Sequence, residues 1–143
     1  MEDRYDLERF VIAQDSGDTY ARALGELRGG RKESHWMWFV FPQIAGLGQS
    51  PTSRKYAISS LPEAQAYLAH PVLGPRLREC AATVAALPGH NAVQVFGGID
   101  ARKLRSSMTL FGRADPGETV FGQVLDRYFE GQPDPATERL LDH

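Results

Sequence analysis

The chain is poor in the residues that build the commonest kinds of site. It has one cysteine, Cys80, in 143 residues, so no disulfide can close within the chain and no cysteine pair can hold zinc. Four histidines, His35, His70, His90 and His143, are scattered with no second ligand at short spacing. No His-Glu-x-x-His occurs, and no metal is expected. There is no Walker sequence. Gly46-Leu47-Gly48 starts like a glycine-rich loop but lacks the third glycine at the required spacing. No serine sits in a Gly-x-Ser-x-Gly elbow, which leaves a Ser-His-Asp hydrolase without support. No cofactor is implied.

Excess charge is missing too. Sixteen Lys and Arg stand against eighteen Asp and Glu, a net charge of −2. That balance argues against nucleic acid or an acidic membrane as a partner for the whole surface, and leaves room for a local basic site. No apolar run approaches the length of a membrane span. The first residues, Met-Glu-Asp-Arg-Tyr-Asp, are charged and carry no apolar signal core. A cytoplasmic location is the expectation.

Hydrophobic residues make up 42% of the chain and charged residues 24%, a balance that supports a packed core. The whole chain, 1–143, reads as one domain. Leu7, Phe10 and Val11 recur at helical spacing and predict a helix over 6–14. Asp15 to Asp18 reads as a turn, with Ser16 or Asp18 as cap of a second helix that ends before Gly29-Gly30. Residues 45–53 read as a loop. Ser60-Leu61-Pro62-Glu63 is a capping box opening a helix to Ala69, and His70-Pro71 breaks it. A helix over 72–87 puts Leu73, Leu77, Cys80, Val84 and Leu87 on one face, with Cys80 as a small buried residue. A short segment, 92–96, closes at Gly97-Gly98. Asp100 is expected to cap a helix through Leu110 or Phe111. Helices over 118–129 and after Asp134-Pro135 complete the chain. The fold class is mostly α, a compact bundle of about seven or eight helices.

What is abundant is concentrated. Gly30-Arg31-Lys32-Glu33-Ser34-His35-Trp36-Met37-Trp38-Phe39-Val40-Phe41-Pro42-Gln43 holds both tryptophans of the chain beside a pair of cations, an imidazole and an amide. By propensity its aromatic run suits a strand. Ser34 equally suits the cap of a short helix that must stop near Pro42. A short buried helix is preferred, because nothing else in the chain makes a sheet and a lone strand would leave its backbone groups unpaired. Trp36, Phe39, Val40 and Met37 serve as core on the plainer reading. The functional reading concerns the remainder. His35 is a candidate acid or base. Trp38 or Phe41 can stack on a planar ring. Gln43 can read a ring edge, and Arg31 and Lys32 can neutralise phosphate. A solvated turn is the equal alternative for that cation pair.

A second constellation runs from Asp100 to Phe111. On a helix Leu104, Ser107, Met108 and Phe111 share a face, and Lys103 joins Ser107 one turn away. The helix start, with Arg102, Lys103 and Arg105 around it, suits phosphate. Close helix packing with solvated cations accounts for the same residues.

Three segments in this order carry a resemblance: the 30–48 tract, Tyr67-Leu68-Ala69-His70-Pro71-Val72-Leu73-Gly74, and Lys103-Leu104-Arg105-Ser106-Ser107-Met108-Thr109-Leu110-Phe111. Together they resemble the bacterial family catalogued as domain of unknown function 1810, over 6–141; some of its members bear a calpastatin label, which nothing in this sequence matches. More distantly, Lys103, Met108, Tyr128-Phe129 and Leu140-Leu141 fall in an order similar to the C-terminal half of the NADAR family. That resemblance implies a small helical protein acting on ADP-ribose derivatives, down to removing ADP-ribose from a nucleobase. On it, Lys103 contacts ribose or diphosphate or acts as an amine nucleophile, and His35 protonates the leaving base over Trp38. Arg31 or Arg105 holds phosphate, and Lys32, Gln43 and Ser107 complete the ligand set. The expected partner is therefore a small nucleotide-like molecule that is bound and cleaved at an N-glycosidic bond. The rival expectation is a non-enzymatic module that docks a protein or small ligand on residues 35–43.

Overall fold

A computed structural model describes residues 3–142. They form α1 (Glu8–Asp15), a 3-10 turn (Ser16–Asp18), α2 (Thr19–Arg28), α3 (Met37–Val40), α4 (Pro51–Lys55), α5 (Leu61–Ala69), α6 (Leu73–Ala86), α7 (Ala92–Phe96), α8 (Gly98–Ala114), α9 (Val120–Phe129) and α10 (Pro135–Leu141). Seven of these are at least seven residues long and three have four or five. The longer set together with α3, the short helix preferred for the aromatic tract, matches the expected seven or eight, and α4 and α7 are the additions. No strand occurs among the described residues; one parallel bridge joins Ile44 to Ile58.

α8 is the central element. α5, α7, α9 and α10 pack around it, while α6 lies against α2, α5 and α9. Leu104, Met108, Leu110 and Phe111 of α8 are fully buried and join one core with Leu73, Leu77, Cys80 and Val84 of α6. Burial also pushes the Cys80 thiol up to about 12, which leaves it a packing group.

Several caps differ from expectation. Ser60 caps α5 by accepting the Glu63 N–H at 3.3 Å. The Glu63 carboxylate turns back to Ser59 rather than Ser60, taking its N–H at 2.9 Å and its hydroxyl at 2.7 Å. His70 both ends α5 and caps α6, since its Nδ1 accepts the N–H groups of Val72 and Leu73 at 3.1 and 3.2 Å. Residues 51–53, expected in a loop, start α4. Ser50 caps it and Pro51 fills its first position, where a missing N–H costs nothing. Neither Ser16 nor Asp18 caps α2 through its side chain; Asp18 instead takes a left-handed conformation. Gly97 has φ +82° and is the N-cap of α8, so Gly98 opens that helix instead of closing the previous one. Asp100 thereby falls inside the first turn and is not the cap. No described helix is long and apolar enough to cross a membrane.

Candidate functional site

The aromatic tract is helical where it was ambiguous. α3 is a single turn, and Trp36, Met37, Val40 and Phe41 point into the core. Positions one turn apart are the buried ones, as a helix requires and a strand does not. The Phe39 carbonyl at the open end of the turn is met by the amide of Gln14, a buried residue of α1, at 2.7 Å. Pro42 then enforces the exit. Phe41 is fully buried and offers no face to a ligand. Phe39 packs against Tyr56 with ring centroids 5.3 Å apart.

Ser34 does not cap α3. It is bound, with its neighbours, by Glu26 of α2, a residue that nothing in the sequence singles out. The Glu26 carboxylate accepts the N–H groups of Glu33 and Ser34 at 2.7 and 2.9 Å, the Ser34 hydroxyl, and the Trp36 indole N–H at 2.9 Å. Burial opposes the charged form, yet the four donors outweigh it and hold Glu26 at about 2.

The two segments named from the sequence meet through Asp100. Lys32 donates its backbone N–H to the Val95 carbonyl at 2.7 Å. Its ammonium lies 3.0 Å from Asp100 Oδ2 and 4.9 Å above the Trp36 ring, and only 7% of its side chain is exposed. The other Asp100 oxygen is 3.8 Å from the Lys103 ammonium, one turn along α8. Lys103 in turn stands over the Trp38 ring at 5.1 Å. Trp38 is half-buried, and with Gln43, Ile44, Gly48, Ser53, Tyr56 and Ala57 it lines a cavity of about 10 Å³, room for one water at most. The bridge between Ile44 and Ile58 closes this corner. Gly48 is obligatory there, because a Cβ would lie 2.4 Å from that of Ser53.

Lys32, Trp38, Gln43 and Lys103 are thus neighbours. The others are not equivalent to them. His35 and Arg31 are exposed and lie outside the cavity lining. Arg105 spends its guanidinium on the carbonyls of Gln132 and Pro133, both at 2.9 Å, and fixes the approach to α10. Ser107 is fully buried in α8, and its hydroxyl has no hydrogen-bond partner among the described residues. Larger clefts, up to about 500 Å³, are lined by none of the candidate site residues Arg31, Lys32, His35, Trp38, Gln43, Lys103, Arg105 and Ser107. Among the described residues no three His, Cys, Asp or Glu side chains gather as a metal site needs.

A model of the family described as protein of unknown function (DUF1810) matches residues 4–141. The chain belongs to this family. A crystal structure of another such helical chain, the conserved hypothetical protein Rv1873 from Mycobacterium tuberculosis, is 50% identical to this DUF1810 chain. The likeness covers 99% of both chains with a TM-score of 0.95. No curated protein matches the chain. The NADAR likeness has no counterpart in these matches.

Proposed function

We propose that the protein binds an ADP-ribose-type or related nucleotide on the open face where the 30–43 tract meets the first turns of α8. One observation carries this reading: Lys103 of α8 stands over Trp38 of α3 while sharing Asp100 with Lys32. A cation over an indole ring, with the exposed Arg31 and His35 nearby in sequence, supplies the two things a nucleotide needs, a flat apolar surface and positive charge. Gln43, beside Trp38 in the cavity wall, supplies paired donor and acceptor atoms for a base edge. The enclosed space is too small for a base, so the ligand lies across the surface. For that reason binding is the core of the reading. N-glycosidic hydrolysis is its extension: the C1′–N bond breaks as His35 passes a proton to the departing base, water adds to the ribose C1′, and the proton that water then loses returns His35 to its starting form.

The rival, a protein-docking surface on residues 35–43, needs bare aromatic area. Trp36 and Phe41 have none, and Trp38 sits under a lysine. The ligand reading is tested by thermal shift with ADP-ribose, NAD and nucleosides. A true ligand at a hundred times its Kd contributes about 2.7 kcal/mol, which raises the melting temperature by roughly 5–10 °C. Trp38→Ala should abolish the rise. No shift with any of these compounds at millimolar concentration removes the ligand class. Chromatographic release of free base would establish the hydrolytic extension.

A further inference from the structure

Trp38 has two surroundings, and neither admits a ring as it stands. The cavity it lines holds about 10 Å³ and is walled by Tyr56, Ile44 and Gly48. Over its ring stands the ammonium of Lys103, 5.1 Å from the centroid. A planar ligand can stack on this indole only where Lys103 now stands, so Lys103 has to leave first. We infer that Lys103 is a charge-reading gate: it admits planar ligands that carry a negative group and turns away neutral ones. This rests on the nucleotide reading above.

The contacts of the two lysines divide the work. Lys32 is held on every side, by the Asp100 carboxylate at 3.0 Å, the Ser34 carbonyl and the Trp36 ring, with little solvent access. Lys103 is more exposed, and at 3.8 Å its ion pair with Asp100 is longer than a hydrogen bond. Beside the 3.0 Å contact of Lys32 with the same carboxylate, the Lys103 contact is the loose one. When Lys103 departs, Asp100 keeps its partner in Lys32, so no buried charge is abandoned. A phosphate draws the Lys103 ammonium away by a charge-assisted hydrogen bond, and the ring takes the vacated place. A neutral nucleoside must remove the same ammonium from both the indole and the carboxylate with nothing to receive it.

The test is calorimetric titration of the full chain with ADP-ribose, AMP and adenosine. The unmodified chain should bind the two anions at least about tenfold more tightly than adenosine. In Lys103→Met adenosine should gain and the anions lose, so that the ratio falls to about twofold. Lys103→Arg, which keeps charge and stacking, should retain the preference. Lys103→Gln substitutes for the methionine variant if that one does not fold. Equal binding of adenosine and AMP by the unmodified chain overturns the gate and leaves the binding reading standing. So does an unchanged ratio in Lys103→Met. Absence of binding by all three probes to the unmodified chain and to Lys103→Met overturns both.

Discussion

Glu26 ties the start of the aromatic tract to α2 through four donors on Glu33, Ser34 and Trp36. Its folded value of about 2 lies below the usual 4.5, so the folded protein binds a proton there less readily than the unfolded chain does. The resulting stability is complete above 4.5 and is lost as pH falls towards 2. The melting temperature should decline across that window. Glu26→Gln should flatten the part of the decline that Glu26 causes, and should melt lower at neutral pH by about 2–5 °C. A decline of unchanged slope in the variant would assign the acid sensitivity to other carboxylates. At this scale the sequence was only partly legible. The composition of the tract points to Trp38, Gln43 and the lysines, because polar groups amid aromatic bulk need a reason. Glu26 carries no such mark, since its partners arrive only when α2 turns back at Gly29-Gly30. Asp100 was legible as a helix-start acid but not as the group two lysines share. Ser107 and Arg105 read as ligand groups because hydroxyls and cations look alike in sequence whether they face solvent, core or a neighbouring carbonyl.

Helices were the most legible elements. Ser60-Leu61-Pro62-Glu63 and Asp134-Pro135 fall where caps were expected, because a side-chain acceptor followed by proline satisfies helix-start geometry locally. Ser50-Pro51 obeys the same rule, yet the glycines before it favoured a loop reading. Gly97 does two jobs: it ends α7 as the glycine pair predicts, giving its N–H to the Val93 carbonyl, and it is also the N-cap of the longest helix. What sequence cannot supply is how closely two helices approach. At Gly74 in α6 a Cβ would lie 2.1 Å from the Leu68 carbonyl oxygen of α5. That carbonyl is backbone and cannot turn aside. Gly74→Ala should therefore cost about 2–3 kcal/mol despite the better helix propensity of alanine, measured by urea denaturation. A loss below about 0.5 kcal/mol would mean that α5 and α6 slide apart freely.

Across the whole molecule Arg9 joins parts that are far apart in the chain. Its guanidinium donates to the carbonyls of Tyr5 at 2.6 Å, Asp6 at 2.8 Å, Lys55 at 2.8 Å and Ala57 at 2.9 Å. It also meets the Glu63 carboxylate at 3.1 Å, where the side chains are 15% and 4% exposed. The first helix, the end of α4 and the start of α5 are thereby held together. The segment so fixed includes Ile58, whose bridge to Ile44 backs the Trp38 corner. Arg9→Met should lower stability by about 3–5 kcal/mol, because it strands a buried carboxylate as well as losing the bonds. The Ile58 amide, donated to the Gln43 carbonyl at 2.9 Å, should exchange with solvent far sooner than core amides of α8. Equal protection in the variant would show that the corner holds itself. Periodicity told which face of each helix is apolar, which is why the fold class was readable. It does not tell which helix meets which, and the site exists only through such meetings.

The single turn of α3 also has an optical consequence. Trp36 and Trp38 are the only two tryptophans, one the N-cap of α3 and the other within its turn, and their surroundings differ. One indole is sealed in the core with its N–H on Glu26, and the other sits half-open beneath an ammonium. Their emission therefore divides into two channels. Trp36, inaccessible to a dissolved quencher, reports on whether the molecule is folded. Trp38, within a quencher's reach, reports on what stands above it.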